Sequence, residues 1–270
     1  MKRAAAPYGV WMALFTIVPL ALVVWFALTD EAGAFTLDNI VAIKDYVPTF
    51  WDSLKLGAIS TALCLVLAYP LALSIARMTE KVQRTMVMIV MLPMWMNFLL
   101  RTYAWMSLLE DKGFINQFLG LLGLGPMHMI NTDGAVVLGM VYNFLPFMVL
   151  PLYSVMAKMD HRIVEAAEDL GCNGFQVFRR ITLPLSAPGI VSGITMVFVP
   201  AVSTFVITKL LGGGKHMLIG DVIEMMFIGS GKNYNVGAAL SLVLMVLMLL
   251  CMALMRFVDK DEEEIGGLSI

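Results

Sequence analysis

Apolar positions along this chain do not alternate with polar ones; they gather into long runs. Six runs, at 8–28, 54–76, 85–107, 134–156, 189–211 and 236–258, are apolar nearly throughout and hold 21 to 23 residues each. At about 1.5 Å of rise per residue, such a run covers the roughly 30 Å hydrocarbon core of a bilayer. Lipid offers the backbone no hydrogen-bond partner, so each run is predicted to be helical. The expected fold class is therefore an all-α membrane protein with six transmembrane helices. The first run has Lys2 and Arg3 before it and Ala32-Gly33-Ala34 after it, the edges of a signal peptide. A signal segment carries only about 7–15 apolar residues, however, and Tyr8 to Leu28 is free of charge throughout. It is read as a retained span.

The polar interruptions differ in kind. Residues 29–53, 108–133 and 212–235 form substantial loops on one side. In the third, a short amphipathic helix bounded by Gly220 and Gly229 is predicted. The stretch 157–188 on the other side is charged and glycine-punctuated. Asp160 is placed to cap a short helix that ends at Gly171, a residue suited to a left-handed C-terminal position. Ile163, Ala167 and Leu170 share one face of that helix. A second short helix follows, with Phe175, Phe178 and Ile181 on one side, and Pro184 is expected to stop it. Helices of about ten residues do not persist alone in water, so the pair needs a surface to dock on. A protein partner and the bilayer surface both satisfy that need.

Charge sets the orientation. With a cytoplasmic N-terminus, the inner segments hold Lys2, Arg3, Arg77, Lys81, Arg84, Lys158, Arg162, Arg179, Arg180, Arg256 and Lys260, which is 11 of the 18 basic residues. The bias toward the cytoplasm is the expected one for short loops. Both termini, including the acidic tail DKDEEE, then lie in the cytoplasm, and so does the 157–188 stretch. The net charge of −2 supplies no basic field for nucleic acid. Three dispersed cysteines and three dispersed histidines form neither a disulfide framework nor a metal-ligand pattern.

No Asp, Glu or His falls inside any of the six runs. Proton- and ion-coupled carriers commonly place such groups within the membrane. No nucleotide-binding motif is present either, so the energy for uphill transport has to come from another polypeptide. Among the polar and aromatic residues that enter the runs, Trp95, Asn97, Tyr142, Asn143, Ser203, Thr204 and Phe205 are candidates for lining a translocation path. Hydrogen bonding between helices accounts equally well for any one of Asn97, Tyr142, Asn143, Ser203 and Thr204. Arg101 and Lys209 lie near the outer ends of their runs, where snorkelling to the interface is expected. Gly189 and Gly193 form a G-x-x-x-G pair suited to close helix approach. Two alternatives remain open at this level: a stand-alone channel or carrier, and an intramembrane enzyme, for which no catalytic cluster is visible.

The 157–188 stretch resembles the EAA motif of ABC importer permeases. Glu165-Ala166-Ala167, three residues, Gly171, nine residues, Ile181, one residue and Leu183-Pro184 reproduce its spacing, and Pro188-Gly189-Ile190 continues it. LPMWMNFLLRTYAWMSLL (92–109), YNFLPFMVLPLY (142–153) and VPAVSTFVITKLLGGGKHMLIGDVI (199–223) are similar to the first permease subunit of spermidine/putrescine importers. The resemblance implies the type I permease fold, with residues 54–258 as its transmembrane domain, 1–53 as an N-terminal span and outer loop, and 259–270 as a tail. It implies a coupling helix at Glu165–Gly171 that docks on a separate ATPase. The expected partners are a second permease subunit, two nucleotide-binding ATPase subunits carrying ATP and Mg, and an extracytoplasmic binding protein, all at a bacterial inner membrane. This chain itself is expected to hold no cofactor and to catalyse no covalent reaction. Relatives for thiamine, iron, phosphonates or opines share the architecture. A polyamine calls for carboxylates and aromatic faces; the spans supply only the aromatics, so Asp221 and Glu224 are candidates at the outer mouth. Selectivity is otherwise expected to reside in the binding protein and the partner permease.

Overall fold

The structure, a computed structural model, describes residues 11–214, 217–229 and 232–267, with side chains except those of 161 and 256–267. The start of the first run at Tyr8 and the side chains of the acidic tail lie outside the described residues. Among the described residues there is no β-strand, only an isolated bridge between Thr29 and Phe35.

Runs two, four and six become continuous helices: α2 (Val47–Ala76), α6 (Asp133–Met156) and α12 (Tyr234–Gly267). The first gives a shorter one, α1 (Ala13–Ala27). Runs three and five are not single helices; each is broken within the run. Run three divides into α3 (Glu80–Met91) and α4 (Phe98–Leu109), followed by α5 (Phe114–Leu121), with a bend of 86° at the break. Pro93 lacks a backbone donor, and Asn97 begins a fresh helix: its side-chain oxygen accepts from the N–H groups of Leu99 at 2.9 Å and Leu100 at 3.4 Å. Run five divides into α9 (Ala187–Ser203) and α10 (Val206–Leu211), separated by an extended Thr204. Among the described residues, three helices suffice by length and composition to cross a membrane, and up to five segments do so when the pairs Glu80–Trp95 with Phe98–Leu121 and Gly174–Leu185 with Ala187–Ser203 each count once.

Between α6 and α9 lie α7 (His161–Asp169) and α8 (Gly174–Leu185), the latter continuing through a π-helical turn at Phe178–Thr182. Pro184 does not stop this segment. It sits in the first turn of Leu183–Leu185, where a missing N–H is tolerated, and the chain turns instead at Ser186, with a 63° bend into α9. The predicted loop helix is present as α11 (Ile219–Ile228).

The core is a three-helix packing of α2, α6 and α9. Cys64, Ala68 and Ala72 of α2 meet Met140, Met148 and Leu152 of α6 and Val197 and Ala201 of α9, all at the buried extreme. Close approach depends on the glycine pair of α9. A Cβ at Gly193 would stand 2.6 Å from Met148 Sδ, and one at Gly189 would stand 3.1 Å from the Pro151 carbonyl oxygen. A second cluster joins α1 and α12 to α11 through Ala27, Phe50, Ile219, Ala239 and Leu240. The C-terminal carbonyls of α1 are satisfied by asparagines distant in sequence: Asn39 donates to Thr29 at 2.8 Å and Asn235 to Phe26 at 3.1 Å.

Candidate coupling knob and substrate cavity

The knob is built from local rules. The Asp160 carboxylate accepts from the Arg162 N–H at 3.0 Å and opens α7. At the other end Gly171 has φ +85°, and the N–H groups of Gly171 and Cys172 reach back to the Glu168 and Ala167 carbonyls at 2.9 and 3.0 Å. That pairing closes the helix with a glycine in the left-handed region. Asn173 and Gln176 then exchange bonds of 2.9 Å each, a reciprocal cap that starts α8.

The packing of the knob separates its apolar residues. Ala167 is buried, whereas Leu170 is 86% exposed, Phe175 70% and Ile163 46%. The face predicted from Ile163, Ala167 and Leu170 thus turns only its smallest member inward. Glu165, Ala166, Gly171, Leu183 and Pro184 are exposed and Ile181 is half-buried. A cleft of about 180 Å³, lined by Val164, Glu168, Arg77, Leu73 and Met156, separates α7 from the bundle. The knob is anchored at its far side, where Tyr69 of α2 bonds the Ser186 hydroxyl at 2.9 Å and meets the Phe178 ring edge-on at 5.6 Å. Sequence reading missed Tyr69 and Ser186, because 117 residues separate them.

At the other end of α9, about 25 Å away at 1.5 Å per residue, the chain breaks at Thr204 and α11 packs into the gap. Gly220 makes this possible: a Cβ there would lie 2.5 Å from the Ser203 carbonyl oxygen and 2.6 Å from that of Thr204. The first turn of α11 is tied down by Ser53 of α2, whose hydroxyl accepts from the Ile219 N–H at 2.8 Å, and by Asp221, whose carboxylate accepts from the Leu218 N–H at 2.9 Å. Asp221 is buried. Burial pushes its carboxyl above the usual range, against the opposing pull of the Thr208 hydroxyl, the Leu218 N–H and the Lys209 charge.

One turn further on, Glu224 points into a cavity of about 520 Å³ whose wall includes Ser203, Phe205, Phe227, Ser241 and Met245. Lys209 of α10 reaches the Glu224 carboxylate, 3.1 and 3.2 Å from its two oxygens. Of the residues expected from sequence, the fold brings Ser203 and Phe205 of the path and Glu224 of the outer mouth to this one cavity. Trp95, 79% exposed, lines a different one of about 390 Å³ with Arg84 and Tyr153. Asn97 spends its oxygen on the helix cap. Tyr142 packs on Trp105 with ring centroids 5.3 Å apart, Asn143 is buried and donates to the Gly139 carbonyl of its own helix, and Thr204 is buried at the break. Arg101 does not snorkel. It is 8% exposed, with Nε and Nη1 buried, because α4 turns that face toward the bundle after the break. Among the described residues no cluster of His, Cys, Asp or Glu has the arrangement of a metal site.

A bundle of bent helices with a pair of short helices between α6 and α9 is the arrangement a membrane component of a transporter would present. Residues 7–263 match the family "Binding-protein-dependent transport system inner membrane component", and the chain belongs to it. Among its relatives is the spermidine/putrescine transport system permease protein PotB of Haemophilus influenzae, 39% identical over 250 residues that cover 89% of this chain and 87% of that protein. The PotB of Escherichia coli is likewise 39% identical, over 88% of this chain and 90% of its own length. The inner membrane ABC transporter permease protein YdcU of the same organism is 31% identical over 91% and 81%. In fold, the chain is similar to a bacterial ABC transporter involved in import of the acidic polysaccharide alginate, with a TM-score of 0.82, 17% identity and coverage of 96% and 94%.

Proposed function

We propose that this chain is a permease subunit of an ATP-driven polyamine importer and forms half of its translocation path. It works beside a second permease subunit, two ATPase subunits that bind ATP and Mg, and an extracytoplasmic binding protein. The reading places six crossings in the bacterial inner membrane, with α1 as the first, the broken α3–α4 as the third and the broken α9–α10 as the fifth. Both termini lie in the cytoplasm, residues 54–258 form the transmembrane domain, and 259–270 form the tail.

The observation that carries this reading is the knob. Leu170 and Phe175 stand 86% and 70% exposed on a pair of short helices that cannot hold themselves together. Burying two such side chains contributes on the order of 1.5–3 kcal/mol each, and a groove on an ATPase subunit supplies the burial. Glu165 orients the knob there, and Gly171 forms the turn between its helices. Closure of the ATPase pair then displaces the knob, and the Tyr69–Ser186 contact passes that displacement to α2 and α9. The identity with PotB over most of the chain supports spermidine or putrescine as cargo. Reconstituted with its partners in proteoliposomes, the chain is expected to support saturable, ATP-dependent uptake of labelled spermidine. Assembly and ATP hydrolysis without spermidine uptake would remove the polyamine assignment and leave the importer reading.

A further inference from the structure

The six apolar runs contain no acid, yet the fold brings one to the α9–α10 break. α11 enters from the loop, and Glu224 reaches the cavity that Ser203 and Phe205 line. Apart from Ser241, the rest of the cavity wall is apolar and aromatic, with Phe227 and Met245 in it. Among the described residues, the cation at Glu224 is the ammonium of Lys209, which donates to both carboxylate oxygens at 3.1 and 3.2 Å. A lysine side chain is a four-carbon stem ending in a primary ammonium, so the carboxylate already holds an alkylammonium supplied by the protein. The two partners differ in exposure: the Glu224 side chain is 21% exposed and that of Lys209 61%. The carboxylate is the more buried partner and the lysine the more exposed one.

We propose that Glu224 is a substrate-binding residue and that Lys209 is its resident stand-in: a primary ammonium of the cargo displaces the lysine from the carboxylate during passage. Phe205 and Phe227 then face the alkyl chain and the second charge, through apolar contact and cation–π attraction. Release is built in, because Lys209 returns to the carboxylate and expels the cargo. The site rests on the polyamine reading and revises one expectation, since it places part of the selectivity in this chain.

Equilibrium binding of labelled spermidine to the assembled permease–ATPase complex, without binding protein, tests the site. Uptake by the complete system tests the reading beneath it. A charge-assisted hydrogen bond is strong enough that Glu224→Gln is expected to weaken binding about tenfold or more, while Glu224→Asp keeps most of it and shows that the fold survives. Lys209→Met removes the competitor and is expected to tighten binding. Spermidine bound equally by wild type and Glu224→Gln overturns the site while normal uptake leaves the polyamine importer standing. Equal loss in Glu224→Gln and Lys209→Met overturns it too, because the pair is then structural. Absence of spermidine uptake by the wild-type system overturns both.

Discussion

Replacing Gly171 separates backbone conformation from space at the knob. Its φ of +85° lies where side chains are rarely tolerated, but a Cβ added there meets nothing within 4 Å. The cost of substitution is therefore conformational rather than steric within this chain. A non-glycine residue in the left-handed region costs roughly 1–2 kcal/mol, with β-branched residues worst and asparagine best. The turn is held by two backbone bonds, from Gly171 to Glu168 and from Cys172 to Ala167, and α7 has only 9 residues, so little else holds the geometry. A cost of that size lowers the population of the correct turn by about 5- to 30-fold. Gly171→Val is expected to lose uptake by that factor and Gly171→Asn by less than about threefold. The assay is ATP-dependent spermidine uptake per assembled complex, with ATP hydrolysis measured in parallel. Val at wild-type rates would refute the link between this turn and coupling. Asn failing as badly as Val would show that the partner's groove, not the backbone, excludes the side chain.

Three further outcomes follow from the packing. Gly220→Ala places a methyl 2.5 Å from a backbone oxygen that no rotamer change can move; overpacking of this kind costs about 1–3 kcal/mol. The variant is expected to melt lower in detergent, and an unchanged melting point would mean that α11 does not sit on the α9 break. Asp221 carries a carboxyl whose pKa burial raises above 3.8, so its ionisation opposes folding. Its contribution is most favourable at acid pH, below the unfolded pKa, and is lost as pH rises through the folded value. Asp221→Asn keeps an acceptor for the Leu218 N–H and should flatten that slope in thermal melts between pH 4 and pH 8, whereas Asp221→Ala should lose about 1 kcal/mol of capping. Tyr69→Phe removes the 2.9 Å bond to Ser186, whose hydroxyl still donates to the Leu183 carbonyl, so no buried donor is orphaned. A loss of about 1 kcal/mol is expected, with more ATP hydrolysed per spermidine moved; an unchanged ratio removes Tyr69 from the transmission route.

The sequence by itself determined the all-helical membrane class and the place of the knob. Both are local properties: run length against bilayer thickness, and a cap, a glycine and a spacing within 24 residues of one another, from Asp160 to Leu183. The short α11 was legible for the same reason, between Gly220 and Gly229. What sequence could not decide was where helices break and what the breaks receive. Prolines alone do not say where: Pro93 stands at a break, whereas Pro146 and Pro151 pass through an unbroken α6 and Pro70 through α2, because a proline is absorbed or not according to what neighbouring helices offer. Arg101 was placed at the interface by its position in a run and is buried by an 86° turn that the run does not encode. The spans contain no acid, yet α11 brings Glu224, 15 residues from Lys209 in sequence, to a span break and into an ion pair with that lysine. Pairings of this kind depend on which faces meet after three helices have packed, and only the tertiary structure sets those.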